Sequence, residues 1–255
     1  MSDSVETHSD VMPMMEHLRE LRTRIIRSTL AIAVGFLVLL ATYDQVKNFL
    51  TQPYRNLCEQ RPDFKCDGSL YSLGPLDGFG ARMKVCAYGG IVLALPVIMW
   101  QIWRFIVPAL SKKEKKYAVP FITSTVVLFA VGCSLAYWTL DKALEFLIVW
   151  SGTDVTSAFQ ITKYIMLVVL MMLAFGTGFL SPVLIVFIQL AGIVQPITLL
   201  KQWRYAILII FLTAAVITPS GDPFSLMALA IPLTVLYVLA VFVGWLLVRK
   251  RDPLS

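Results

Sequence analysis

Residues 94–116 read ALPVIMWQIWRFIVPALSKKEKK, and the change of character along this stretch decides what kind of chain it belongs to. It starts inside an apolar run, passes Pro96, and reaches Trp100, Trp103 and Phe105 before a loop carrying Lys112, Lys113, Lys115 and Lys116. A new apolar run begins at Tyr117. Tryptophan gathers where hydrocarbon meets lipid headgroups, and short basic loops stay on the cytoplasmic side of a membrane. The stretch therefore predicts a membrane exit, a cytoplasmic hairpin and a re-entry. Glu114, a lone carboxylate among these lysines, is the first side chain placed to do specific work.

Outward from this hairpin the composition is consistent with a membrane setting. Of 255 residues, 58% are apolar and 15% charged, where soluble domains carry about 25% charged. Several apolar runs exceed the roughly 18 residues that mark a span. The predicted fold class is all-α, a polytopic membrane protein forming a single membrane domain over residues 1–255. The net charge of +6 is then a question of sidedness and no nucleic-acid signal. There is no C-x-x-C, and the two histidines, His8 and His17, lie near the N-terminus. No metal site and no cofactor is expected. Without G-x-S-x-G, H-E-x-x-H or a phosphate loop there is no catalytic constellation, so the expectation is a non-enzyme. The first apolar run follows about 24 polar or mixed residues with no convincing cleavage site, which predicts a retained anchor.

Six spans are predicted, at about 25–43, 84–103, 117–140, 163–190, 203–217 and 224–248. Residues 1–24 should form a cytoplasmic helical approach, with Leu18, Leu21 and Ile25 along one face and His17, Glu20 and Arg24 along another. The fifth span, some 15 residues or roughly 22 Å of helix, is short for a ~30 Å core and implies local thinning or a sunken helix end. Placing both termini inside puts 14 cations in cytoplasmic segments and 8 outside, the bias membranes impose. Arg82 and Lys84, at the outer start of span two, are expected to snorkel.

The external loop 44–83 is the longest polar connection. Gly68, Gly74 and Gly78 with Pro53, Pro62 and Pro75 predict a loop-rich segment with short helical pieces at most. Cys58 and Cys66 lie within it, with seven residues between them. An oxidising compartment permits a disulfide there, worth about 2–3 kcal/mol on the chain-entropy model. Cys86 and Cys133 fall inside spans, as small apolar fillers. Residues 218–223, TPSGDP, should make a tight external turn ahead of span six.

The apolar interiors of the six spans contain no Asp, Glu, Lys, Arg or His. Ion-coupled transporters place ionisable groups there, so the alternative of a small-solute secondary transporter lacks its usual site. Prolines do occur there. Pro120 belongs to a first turn, while Pro96, Pro182 and Pro232 lie deeper and should bend their helices, giving a curved wall.

Several segments taken together resemble one family. They are HLRELR at 17–22, Gly74-Pro75 with Lys84, PVIMWQIWRFIVPAL at 96–110 followed by Glu114, and Phe175-Gly176 with Pro182. Thr218-Pro219 with Asp222 and the segment AIP at 230–232 complete the set. The pattern is similar to TatC, the multispanning receptor subunit of the twin-arginine protein translocase. The resemblance implies a six-helix, cupped protein of the bacterial cytoplasmic membrane. Such a protein binds twin-arginine signal peptides at its cytoplasmic face, works with the single-span subunits TatA and TatB, self-associates, and exports folded proteins on the proton-motive force. By the motif match Glu20 and Glu114, with Arg22, are the signal-peptide contacts. Pro53, Lys84, Pro96, Phe105, Pro108, Pro182 and Asp222 carry over as structural or assembly positions. Guanidiniums pair with carboxylates in charge-assisted, often bidentate contacts, so the assignment makes chemical sense. Two plainer roles stay open beside it: Ser111-x-x-Glu114 has capping-box spacing, and Glu20 can pair with Arg24 at i,i+4 on a solvated helix face. Asp222 can serve the turn alone.

One departure stands out. The family commonly has glutamate two residues before the span-four proline, and here the sequence is Phe179-Leu180-Ser181-Pro182. Leu226 also stands where some relatives carry a polar residue. Ser181, Thr177 and Ser225 are left as the small polar groups able to bond between helices.

Overall fold

The computed structural model describes residues 14–64, 66, 68–106, 118–151, 159–190 and 192–249. Glu114, Pro108 and the lysine cluster lie outside the described residues. Helix α1 (Met14–Ala41) merges the polar approach and the first apolar run without interruption. After α2 (Tyr43–Gln60), a 3-10 turn and the two-residue strand β1 (Leu70–Tyr71) come α3 (Asp77–Ile106) and α4 (Ala118–Ser151). Strand β2 (Phe159–Gln160) precedes α5 (Ile161–Gly178), α6 (Ser181–Leu190), α7 (Pro196–Lys201), α8 (Trp203–Ile217) and α9 (Pro223–Arg249). Among the described residues five stretches are long and apolar enough to cross a bilayer: Leu18–Ala41, Asp77–Phe105, Val119–Ser151, Ile161–Leu190 and Pro223–Val248. Their outward faces stay uncovered, as with Leu30, Val34 and Leu37 on α1, each at least 60% exposed. Apolar surface on that scale belongs in lipid.

Because lipid tails are as apolar as leucine, helices in a membrane associate by close fit, and small residues permit it. A Cβ on Gly35 of α1 would stand 2.7 Å from the Gly90 carbonyl oxygen of α3, and one on Gly90 would stand 2.8 Å from the Phe36 nitrogen. The two backbones touch. The same device joins α4 to α5, where a Cβ on Gly132 would lie 2.6 Å from the Phe175 carbonyl oxygen. Cys133 is buried beside it and donates its thiol to the Met172 carbonyl at 3.3 Å.

Three sequence expectations need correction. Residues 44–60 are not loop: α2 is an 18-residue helix. Tyr43, Leu50, Tyr54 and Leu57 are buried along one of its faces, with Val46 half-buried. Every glycine and all but one of the prolines that suggested a loop lie beyond residue 60, and Pro53 is accommodated inside the helix. Nor does Pro182 bend a continuous span. The helix stops at Gly178 and restarts at Ser181, with Pro182 in the opening turn of α6, where a missing N–H costs nothing. Finally, Arg82 does more than snorkel: it donates to the Leu40 carbonyl at 3.1 Å and lies 4.9 Å from the centroid of the Tyr43 ring. By contrast, Lys84 is exposed, and α3 and α9 run unbroken through Pro96 and Pro232.

One end of the bundle is closed by a layer built from α2 and the strands. Tyr164 of α5 donates to the Leu50 carbonyl at 3.0 Å, and the Tyr54 ring lies 5.0 Å from Phe159 and 5.6 Å from Tyr164. Strands β1 and β2 pair in parallel, Leu70 opposite Phe159. Asp77 Oδ2 accepts from the Leu73 and Gly74 backbone and from the Gln160 amide, at 2.8–2.9 Å. A Cys58–Cys66 disulfide, Cα atoms 5.6 Å apart, ties α2 to the segment entering β1. Replacing both cysteines by serine is expected to lower the melting temperature in detergent by about 5 °C, from about 2 kcal/mol of lost loop restraint. An unchanged melt would show that the layer is held without the crosslink.

Candidate functional site

At the opposite end, the start of α1 meets the end of α3. Glu20 and Arg24 are one turn apart on α1, and Arg24 Nη2 donates to Glu20 Oε1. Arg24 Nη1 donates to Gln101 Oε1 of α3 at 3.1 Å. Arg24 and Gln101 are each only 9% exposed, while the Glu20 side chain keeps 22% of its surface accessible. The i,i+4 pair considered from sequence does form, but its arginine is buried against a second helix instead of lying on a solvated face. A buried guanidinium needs such partners, because an unpaired one carries its full desolvation cost.

Beside this junction, Trp103 packs inward. Its ring centroid lies 4.7 Å from Phe121 of α4 and 6.1 Å from Phe187 of α6, and those two phenylalanines are 5.7 Å apart. Trp103 is 4% exposed and its indole N–H has no partner among the described residues. The aromatic trio fixes the end of α3 next to the start of α4. Of the two tryptophans expected at the lipid interface, only Trp100 is exposed.

The remaining candidates scatter. Arg22 is exposed on α1 and Phe105 half-buried in the last turns of α3. Pro96 is exposed in the middle of α3, while Pro53 belongs to α2 in the closing layer. Asp222 is 1% exposed at the α8–α9 turn, where its Oδ2 accepts the Ser225 N–H at 2.6 Å and caps α9. Leu180 lines an apolar groove of about 500 Å³ with Thr177, Ser181, Leu184, Thr213 and Tyr237. The Thr177 hydroxyl is spent on its own helix, bonding the Leu173 and Ala174 carbonyls. Sequence reasoning missed Gln101. The available signal was an amide within the apolar run 85–103, a group that must find a partner when buried.

The family model for the Sec-independent protein translocase protein (TatC) matches residues 16–232. The TatC protein of Frankia casuarinae is 37% identical over 245 residues, spanning 94% of this chain and 67% of that protein. That of Aquifex aeolicus is 34% identical over 247 residues, spanning 96% and 99%. A solved structure, the crystal structure of the twin arginine translocase receptor TatC, matches with a TM-score of 0.73 at 33% identity, covering 90% of this chain and 98% of that one. The lipid-facing helices and this shared architecture define a multi-pass membrane component of a protein translocase, a receptor class without catalysis of its own. The solute-transporter alternative falls away. The chain belongs to the TatC family.

Proposed function

We propose that this chain receives twin-arginine signal peptides where α1 begins and α3 ends, and that this end faces the cytoplasm of a bacterial cell. Six spans cross the cytoplasmic membrane in this reading: α1, α3, α4, α5 together with α6, α8, and α9, with both termini inside and the spans forming a cupped wall. The observation that carries the reading is the accessible Glu20 carboxylate at the rim of a buried polar junction. Glu114 lies in the sequence between α3 and α4, and two carboxylates suit two guanidiniums. Arg22 completes the contact region. The groove lined by Leu180 is the proposed seat for the single spans of TatA and TatB subunits, met by shape and hydroxyls in place of the family's glutamate. Self-association and export of folded cargo on the proton-motive force follow from the family role.

The test is export of a folded reporter carrying a twin-arginine signal in a receptor-null strain. Wild type, Glu20→Ala and Glu114→Ala are compared, with signal-peptide crosslinking to residues 103–116. Each variant is expected to lose most export, on the order of tenfold or more for a lost charge-assisted contact, and to lose crosslinking. Full export by both variants would overturn the assignment of the carboxylates.

A further inference from the structure

The closing layer shows bare apolar side chains where α3 leaves it. Leu73, Leu76 and Phe79 are 79%, 74% and 63% exposed, in succession around the turn that opens α3. We propose that this turn, bonded to itself through Asp77, is a lipid anchor. It sets the three side chains into the boundary between headgroups and acyl chains, in the leaflet at the layer end, and so holds the layer against the membrane surface. The anchor is independent of what the opposite end of the bundle receives.

Helix length gives the depth. α3 has 30 residues, about 45 Å at 1.5 Å per residue, and a bilayer with its headgroup regions is about 40–45 Å thick. Its two ends therefore lie among the headgroups of opposite leaflets. Lys84, also exposed, stands about 7.5 Å further in than Phe79 along the axis, where a long ammonium side chain can reach back to phosphate. Phe79 and Val97 are about five turns apart and so lie on one line of α3, with Leu93 beside it. Val97 and Leu93 are exposed too, so the turn continues a surface already turned to lipid. Among the described residues no side chain closes over it: Gly78 and Gly80 flank Phe79, and a Cβ on either would meet nothing within 4 Å.

Backbone polarity is what normally keeps a turn out of an apolar boundary, because unpaired N–H and C=O groups need water. Here those groups are bonded within the turn. Leu73 and Gly74 donate their N–H groups to Asp77 Oδ2 at 2.8 and 2.9 Å, and Pro75 has no N–H to donate. The Gly74 carbonyl accepts from the Ser72 hydroxyl and the Asp77 N–H, and the Leu76 carbonyl accepts from the Gly80 N–H. The Gln160 amide donates to the same Asp77 oxygen at 2.9 Å, so one carboxylate ties the anchor to β2. A single exposed leucine would need no explanation. Three large apolar side chains on a self-bonded turn at headgroup depth have lipid as their fitting partner.

The experiment places a nitroxide on the full chain, one copy per lipid nanodisc, at Leu73→Cys or Leu76→Cys. Val34→Cys on the lipid-facing side of α1 is the reference for acyl chains, and free label in buffer is the reference for water. Cys86 and Cys133 are buried and Cys58 is bonded to Cys66, so the new thiol takes the label. Collision with oxygen, which concentrates among acyl chains, is compared with collision with a water-soluble nickel chelate. Both labels are expected to favour oxygen, less than the label at Val34→Cys does and clearly more than free label. Asp77→Ala leaves the Leu73 and Gly74 N–H groups unpaired and should move the label at Leu76→Cys toward the chelate, as the turn lifts into water. Chelate access like that of free label at both positions of the otherwise unaltered chain overturns the anchor. Shielding from both reagents overturns it as well, because the leucines would then lie against protein. Those two readings decide even where Asp77→Ala does not fold, and a label that Asp77→Ala leaves unmoved overturns the part given to Asp77.

Discussion

Gly90→Ala is expected to destabilise the bundle by about 1–3 kcal/mol, the range for forcing extra volume into a close-packed contact. Alanine is nevertheless the better helix former by about 0.5–1 kcal/mol. The new methyl would stand 2.8 Å from the Phe36 nitrogen and 3.2 Å from the Ile32 carbonyl oxygen. Those are backbone atoms that cannot rotate away, so α1 must shift along its whole length. Gly80→Ala on the same helix supplies the contrast, because a Cβ there meets nothing within 4 Å and the propensity gain is unopposed. Reversible unfolding in mixed micelles should therefore give opposite signs for one substitution at two positions of α3. Equal signs would mean that backbone contact does not set the α1–α3 crossing. Because Arg24 reaches Gln101 across the same pair of helices, the same shift should also disturb that bond.

Asp222→Ala is the second large effect, about 2 kcal/mol of stability from loss of an N-cap whose partner N–H is then left buried. Asp222 and Ser225 are at most 1% exposed, so water cannot simply replace the carboxylate. Gly221 just before it has φ 63, a left-handed conformation in which glycine is at ease, and the turn thus presents Asp222 to the first turn of α9. Asp222→Asn retains an acceptor at the same place and should recover most of the loss. Unfolding midpoints of the two variants, with protease access to residues 218–223, give the comparison. An alanine variant as stable as wild type would show that the turn holds without the cap.

The apolar runs were legible because length and composition alone mark them, and α8 occupies the residues where a short helix was expected. What stayed hidden involves partners distant in the chain. The face of α2 was present at helical spacing from Tyr43 to Leu57, but the glycines and prolines beyond residue 60 dominated the segment's composition. The break at residues 179–180 looked like an ordinary proline kink because a proline in a first turn and one in an interior differ only in what precedes them. In the candidate site, the residues at 17–22 were recognisable as a motif, and Glu20 with them. The burial of Arg24 was not, because its cause is Gln101, 77 residues away. Trp103 looked like an interfacial tryptophan for a similar reason: Phe121 and Phe187, which enclose it, belong to other helices.

The closing layer has two fastenings that belong to different moments of biogenesis. Cys58 and Cys66 are 8 positions apart, so with the orientation proposed above they can crosslink as soon as that short segment has crossed the membrane. The β1–β2 pairing joins residues 70 and 159, and must wait while the ribosome supplies the residues between them, on the order of 5–20 s at ordinary elongation rates. During that interval residues 58–66 are already a closed ring while β1 has no mate. The disulfide lies outside the loop from β1 to β2 and leaves its length unchanged; what it restrains is the segment entering β1, held against the end of α2. A crosslink that contributes modestly to the finished protein thus has a second use, keeping the approach to β1 beside α2 until its mate is made.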